Sequence, residues 1–310
     1  MILRHARPFR LAFVLLALLA VSAASCSSKG KVVKPVTTSI AQADADDIVQ
    51  LLATTLASDH GGWYCTVKAV CETLAVPAPV RLTSAGGGAR AVQVSARSGN
   101  LGSFSFERGG VTYLMQNGWV RADGSVTGER DTSSRSLMTL ISVDDGAFNN
   151  INGINGTYGL HTYALNSPID STFLVSNISA VSPDTLEFSG FLDDSSFSTV
   201  QSSVRTPTPA ARLWYHTNFV DYTLRILKSR LLSAPYPVGS DSEIHWTIQA
   251  YAMRGTPDRT DFAYDYLIQG RMNFDGSAEG VLTLSELAAA PSWSYVYKVN
   301  LNTGQIARLN

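Results

Sequence analysis

Residues 243–253 read EIHWTIQAYAM, and residues 262–272 read FAYDYLIQGRM. In the first stretch the even-numbered positions from Ile244 to Ala252 are apolar, and most odd-numbered positions are polar. The second stretch repeats this alternation from Phe262 to Ile268. Such a period of two is typical of a strand that buries one face. With the turn signal Gly255-Thr256-Pro257-Asp258 between them, the two stretches predict an antiparallel pair of strands.

The register of this pair is restricted by the same alternation. Both apolar sets lie on one face only when the numbers of paired residues add up to an even value, because a slip of one residue turns one set to water. We predict a sum near 514. Ile248 then lies near Tyr266, and Trp246 lies near Ile268.

Residues 212–310 as a whole predict a meander of five or six antiparallel strands. Two more alternating stretches begin at Val220 and at Trp293, and the sequences Asp275-Gly276 and Asn302-Thr303-Gly304 supply hairpin turns. One sheet face is then rich in aromatic residues. This face is either a packed core or a surface that binds an apolar or sugar ligand. Its candidate ligand residues are Trp246, Tyr264, Tyr266, Tyr295 and Tyr297.

The first half of the chain also predicts short strands separated by turns. We expect strands at 90–97, 101–108 and 111–116, with Arg108-Gly109-Gly110 as a hairpin turn. Stretches rich in Gly, Ser and Asn predict long loops at 84–89, 123–136 and 144–159. The last of these loops is also where a boundary between two domains would fall.

One amphipathic helix is predicted at 39–57. Ala41, Ala45, Ile48, Leu52 and Leu56 share one face, and acidic residues occupy the early turns, where the helix dipole favours negative charge. Such a helix should pack its apolar face on a sheet. The expected fold is therefore mainly β, an antiparallel sandwich or a curved open barrel, with one N-terminal amphipathic helix packed on a sheet.

The N-terminus has the layout of an export signal. Arg4, Arg7 and Arg10 precede an uncharged apolar run at 11–24. This run is shorter than the roughly 20 apolar residues of a membrane-spanning helix. Residues 1–25 therefore predict a cleaved signal peptide.

The end of the leader, Ala23-Ala24-Ser25-Cys26, resembles the lipobox of bacterial lipoproteins, although Ala23 stands where Leu is usual. The resemblance covers only the leader. It implies that Cys26 is acylated and becomes the new N-terminus, which anchors the protein to the cell envelope. Ser27 resembles the pattern of lipoproteins sent to an outer membrane. Residues 26–38 then form a tether, and residues 39–310 form the β-rich domain.

Two more cysteines, Cys65 and Cys71, belong to that domain. Exported proteins fold where thiols are oxidised, so a disulfide is expected. A bridge requires Cα atoms within about 7 Å. An extended chain would hold the two residues farther apart, so we predict a small loop at 66–70 stapled by the bridge.

The sequence contains no motif that commits it to a reaction. It lacks G-x-S-x-G, H-E-x-x-H, a P-loop, a dinucleotide fingerprint and paired C-x-x-C motifs. We therefore expect no cofactor and no metal site. The strongest acid/base candidate is His245, which shares a predicted sheet face with Asp265, although we favour a solvated polar face as the explanation of the pair.

Composition narrows the functional classes. Apolar residues make up 45% of the chain and charged residues 16%, which is enough for a large core, and the formal net charge of −1 gives no sign of a nucleic-acid partner. The leading hypothesis is a non-catalytic envelope lipoprotein that binds an apolar small molecule or a partner protein. The alternatives are a hydrolase acting on envelope or imported polymers and a structural or adhesive envelope protein.

Overall fold

The computed structural model describes residues 40, 42–75, 91–92, 102–161, 173–179, 183–200, 211–254, 262–288 and 291–310. Residues 35–310 form one compact unit. The signal peptide, Cys26, the tether and the predicted loop at 84–89 lie outside the described residues.

The described residues contain two α-helices joined by a short connection. Helix α1 is Gln42–Leu56 and α2 is Tyr64–Ala75, with a single 3₁₀ turn at Ser58–His60 between them. The prediction of a helix at 39–57 is confirmed over most of its length. Helix α2 was not predicted, and it replaces the expected stapled loop at 66–70.

All described strands belong to one antiparallel sheet of 14 strands. The first seven strands are β1 Ala91–Val92, β2 Gly102–Arg108, β3 Val111–Arg121, β4 Val126–Thr127, β5 Ser134–Ile151, β6 Ile154–His161 and β7 Phe173–Ser176. The last seven are β8 Thr185–Val200, β9 Ala211–Leu227, β10 Glu243–Arg254, β11 Phe262–Phe274, β12 Glu279–Glu286, β13 Ser294–Asn300 and β14 Ile306–Arg308. The chain is mainly β, as expected, and its sheet is not closed.

The sheet follows the order of the chain with two exceptions. Its main path is β1-β2-β3-β5-β6-β8 and then β9 to β14, while β4 pairs with β3. Strand β7 pairs with both β5 and β8, so β6 and β7 each fill part of the space between those two long strands. The predicted meander at 212–310 is confirmed as the six strands β9 to β14.

The β10–β11 pair has the predicted parity and a slightly different register. Ile248 lies opposite Ile268 and Trp246 opposite Gly270, so paired numbers add up to 516 rather than 514. Both apolar sets therefore share one face, as predicted. The shift of two residues places the Trp246 ring beside Gly270, where an added Cβ would touch Trp246 Cε3 at 3.4 Å. A glycine gives the large ring room that a side chain would occupy.

The predicted loop at 144–159 was wrong, because these residues form the hairpin of β5 and β6. Its turn is Asn152-Gly153, and both residues have positive φ, 50° and 78°. Asn-Gly suits a two-residue hairpin turn because both residues adopt positive φ readily. The suggested domain boundary therefore falls inside a continuous sheet. The predicted loop at 123–136 is confirmed over most of its length, and only β4 and the start of β5 within it form strands.

The sheet curls around the two helices. Five strands lie between β6 and β13 in the sheet order, which in a flat sheet would separate them by about 29 Å. Asn152 Nδ2 nevertheless donates a 2.8 Å hydrogen bond to Thr303 O in the β13–β14 turn. Gln50 of α1 also donates to Gly304 O of that turn, at 2.8 Å. Distant hairpins therefore meet at the helices.

The connection between the helices is fixed by backbone contacts. Ser58 N donates to Leu301 O at 3.0 Å, and Asp59 N donates to Asn302 O at 2.9 Å. On another side, the β2–β3 turn packs so closely that a Cβ at Gly109 would overlap the His60 carbonyl carbon and lie 2.7 Å from Gly61 N. The predicted turn at 108–110 is thus confirmed, and it docks on the helical connection.

This docking gives a test with a matched pair of glycines. Gly109 and Gly110 both have positive φ, 58° and 82°, but a Cβ at Gly110 meets no atom within 4 Å. G110A should cost only the backbone strain, about 1–2 kcal/mol. G109A should lower the free energy of unfolding by about 1–3 kcal/mol more, because it also forces the turn off the helices. Chemical denaturation measures both, and equal losses would show that the turn does not dock there.

Candidate functional site

The aromatic face of β10–β13 is covered by helix α1. Trp246, Tyr266 and Tyr297 are buried, and two of them hold the helix by their hydroxyls. Tyr266 Oη donates to Asp44 Oδ2 at 2.7 Å, and Tyr297 Oη donates to Asp46 Oδ1 at 2.7 Å. Burial and the neighbouring Asp46 carboxylate raise the pKa of Tyr297 well above its usual value. These hydroxyls therefore act as hydrogen-bond donors to the helix.

The remaining two aromatic candidates lie at the margin of this face. Tyr295 is half-buried, and its hydroxyl donates to Ile40 O at 3.1 Å. Tyr264 is paired with Ala252 in the sheet, and its side chain lies outside the described part. The core alternative thus fits Trp246, Tyr266 and Tyr297, whose side chains are buried.

The acid/base candidate pair is not brought together. His245 lies opposite Arg271, whereas Asp265 lies opposite Tyr251, six residues farther along β11. Six residues of strand span about 20 Å. His245 Nε2 instead lies 3.0 Å from Glu243 Oε1, whose other oxygen accepts from Arg271 at 2.7 Å. This is a partly exposed ion-pair group on the outer sheet face.

The cysteine prediction was wrong in its local structure. Cys65 and Cys71 both lie in α2 and are free, buried thiols. Six residues of helix rise about 9 Å, which exceeds the reach of a disulfide. Burial raises the pKa of Cys65 to about 12 and also raises that of Cys71. Both thiols are therefore protonated and unreactive at neutral pH.

This arrangement predicts how the thiols behave. In the native protein at pH 8, neither Cys65 nor Cys71 should be alkylated by iodoacetamide, because the thiolate is the reactive form and both groups are buried. After unfolding in denaturant without reductant, both should be alkylated, as counted by peptide mass spectrometry. The unfolded variant C65S should show one alkylated cysteine of this pair instead of two. Absence of labelling in the unfolded wild type would mean that the cysteines are bridged after all.

A partly buried polar cluster links the helices to the last hairpin. Lys68 Nζ donates to Ser58 Oγ at 2.6 Å and to Asn302 Oδ1 at 2.7 Å. Asn302 Nδ2 donates to the Tyr236 hydroxyl at 2.9 Å. Partial burial lowers the pKa of Lys68, and nearby Asp59 opposes this shift. The sequence gives no sign of this role of Lys68, because the contact with Asn302 joins residues far apart in the chain.

The most unusual polar groups lie on β3. Asn117 and Trp119 alternate along the strand, face the interior and are 1% and 0% exposed. Thr139 Oγ1 donates to Asn117 Oδ1 at 2.8 Å. Within the described residues, Asn117 Nδ2 and Trp119 Nε1 have no hydrogen-bond partner, and neither does Trp63 Nε1. Buried donors are nearly always paired, so three such groups in one interior require an explanation.

These donors lie in apolar surroundings. Trp119 pairs with Leu137 across the sheet, and the same row continues through Val175, Phe188 and Leu224, all of them fully buried. Trp63, which precedes α2, lies 5.3 Å from the Tyr222 ring. The interior thus combines an apolar lining with a few N–H groups, as ligand-binding interiors do.

Arg130 lies beside Trp119 at the end of α2. Its guanidinium carbon is 5.9 Å from the centre of the Trp119 ring, and its Nη1 donates to Leu74 O at 3.2 Å. Burial lowers the pKa of Arg130, which still carries its charge. A cation therefore stands next to the unpaired N–H of Trp119.

A signal for this site was present in the sequence. Tyr113, Met115, Asn117 and Trp119 continue one alternation, so the strand extends past the predicted end at 116. Asn117-Gly118 has the composition of a hairpin turn but lies inside the strand. Nothing in the sequence could show that the two side chains lack partners, because that depends on the neighbouring strand.

Comparisons with known proteins give no relative. No protein-family model, curated protein or solved structure matches the chain. Within the described ranges, neither helix has the length and apolarity needed to cross a bilayer. The same ranges contain no group of three or more His, Cys, Asp or Glu side chains placed to hold a metal ion.

Proposed function

We propose that this chain is a non-catalytic, lipid-anchored protein of the bacterial envelope whose interior binds an apolar ligand. The observation that carries the proposal is the set of unpaired N–H groups of Trp63, Asn117 and Trp119 inside an apolar core. Leaving a buried donor unpaired costs about 1–3 kcal/mol. A ligand oxygen that accepts from these groups would remove that cost.

The envelope location is supported by the leader. Arg4, Arg7 and Arg10, the uncharged run at 11–24 and the lipobox-like end at Cys26 are the features of an acylated export signal. An anchored binding domain needs a spacer, which residues 26–38 supply. The partly exposed polar side chains of Glu243, His245 and Arg271 leave the outer sheet face polar near β10 and β11.

The hydrolase alternative has one supporting contact, that of Lys68 Nζ with Ser58 Oγ. A lysine with a lowered pKa can activate a serine. However, Ser58 is 0% exposed and Lys68 is shared with Asn302. Lys68 Nζ donates to Ser58 Oγ and at the same time to Asn302 Oδ1 of the last hairpin, so it does not act as a base toward this serine. We assign the contact to holding the helical connection.

One purification tests the proposal. The chain expressed in a two-membrane bacterium should be found in the outer membrane with acylated Cys26 as its first residue, as reported by peptide mass spectrometry. Solvent extraction of the purified protein should release an apolar compound in near-stoichiometric amount. C26A is the matched variant and should lose the acylation while its domain keeps the compound. Recovery of a protein with residues 1–25 attached, in the cytoplasm and without a bound compound, would contradict the proposal.

A further inference from the structure

We propose that the ligand is an acyl lipid whose carbonyl oxygens accept hydrogen bonds from Asn117 Nδ2 and Trp119 Nε1. This inference rests on the proposed binding function and specifies its ligand class. Both donors are on the interior face of one strand, two residues apart. The Cα atoms of two such residues lie about 7 Å apart. The two oxygens of one carboxyl or ester group can therefore accept from both side chains.

The surroundings distinguish an acyl lipid from a polar metabolite. From Trp119 the buried row runs through Leu137, Val175 and Phe188 without a polar side chain. An extended hydrocarbon chain lying on this row would be removed from water along its length, at about 0.8 kcal/mol for each methylene. A sugar or a nucleotide would leave many hydroxyl groups unpaired there.

Thr139 acts as a positioning residue for the head group. Its hydroxyl donates to Asn117 Oδ1, which occupies the amide oxygen and directs the NH₂ group away from β5. Asn117 therefore presents donors and not an acceptor to the interior. The preference is for a ligand atom that only accepts, such as a carbonyl or carboxylate oxygen.

Arg130 favours a negatively polarised group at this place. Its guanidinium stands over the Trp119 ring. Because Trp119 is fully enclosed, a ligand reaches Nε1 only when contacts around the ring open. The bond from Arg130 to Leu74 O is one contact close to this ring.

The test follows the indole N–H signals of the full chain by NMR, with the protein labelled with ¹⁵N-tryptophan and held in amphipol. Oleate and methyl oleate are the two probes. Oleate should shift the Trp119 signal downfield, and W119F identifies that signal by its loss. W246F makes the same chemical change at a buried tryptophan outside the site, and it should leave the affinity unchanged.

The variants should weaken binding about tenfold each. W119F removes one donor and keeps an aromatic ring. The double variant N117L/T139V replaces a hydrogen-bonded pair by apolar groups of similar shape, which leaves the stability of the ligand-free protein nearly unchanged. Unfolding of each variant in denaturant shows that it is folded, so a loss of affinity reports the lost donors.

The outcomes separate the two proposals. Binding of both probes supports recognition of any acyl carbonyl, including esters, and binding of oleate alone supports recognition of a free fatty acid. If the wild type binds oleate while W119F and N117L/T139V bind it equally well, the site is wrong and the binding function stands. If the wild type binds neither probe, the acyl-lipid assignment is overturned. The extraction experiment then decides the binding function independently.

Discussion

A sheet with one apolar face must be covered, and in this protein the cover is the helical hairpin of α1 and α2. The face extends across the sheet from Tyr113 on β3 to Val299 on β13, and its described residues include many fully buried side chains. Exposing apolar surface to water costs about 25 cal/mol for each Å². For a face of this extent, that cost would exceed the free energy of unfolding of a whole domain. The curl of the sheet follows from this requirement, because distant hairpins can all contact one short pair of helices only if the strands bend around it.

Helix α1 places aspartate side chains in the buried interior, where hydrogen bonds from the sheet stabilise them. Asp44 and Asp46 are buried near the start of α1, where the helix dipole favours negative charge. The hydroxyls of Tyr266 and Tyr297 donate to these carboxylates. A buried carboxylate is stable only with such partners. The tyrosines of β11 and β13 thus place α1 on the sheet in one orientation, which a purely apolar contact would not specify.

The strand pattern was predictable wherever alternation and turn chemistry acted together. The parity of β10 and β11 followed from the apolar sets of the two strands, because only one parity buries both of them. The displacement of the register by two residues could not be predicted in this way. Both Ile268 and Tyr266 offer Ile248 a large side chain on the same face. The observed register places Trp246 beside Gly270, a packing effect that no residue pattern encodes.

The errors share a cause, namely the preference given to local composition over long-range pairing. Residues 144–159 are rich in Asn and Gly, yet their Asn152-Gly153 turn sits between Ile151 and Ile154 and closes a hairpin. Cys65 and Cys71 suggested a bridged loop, although the segment around them is apolar enough for the buried helix α2. The distance between His245 and Asp265, and the lack of partners at Asn117 and Trp119, depend on register between strands and could not be read from one strand.

The central claim is that α1 and α2 lie inside the curled sheet as part of its core. Hydrogen–deuterium exchange of the native protein, read by peptide mass spectrometry, tests it most directly. If the helices are core, amides of 45–56 and 64–74 exchange as slowly as those of β9 to β13, because all of them open only when the whole domain unfolds. Exchange of the helices that is orders of magnitude faster than exchange of those strands would show that the hairpin lies outside as a separable cover, and would contradict the account.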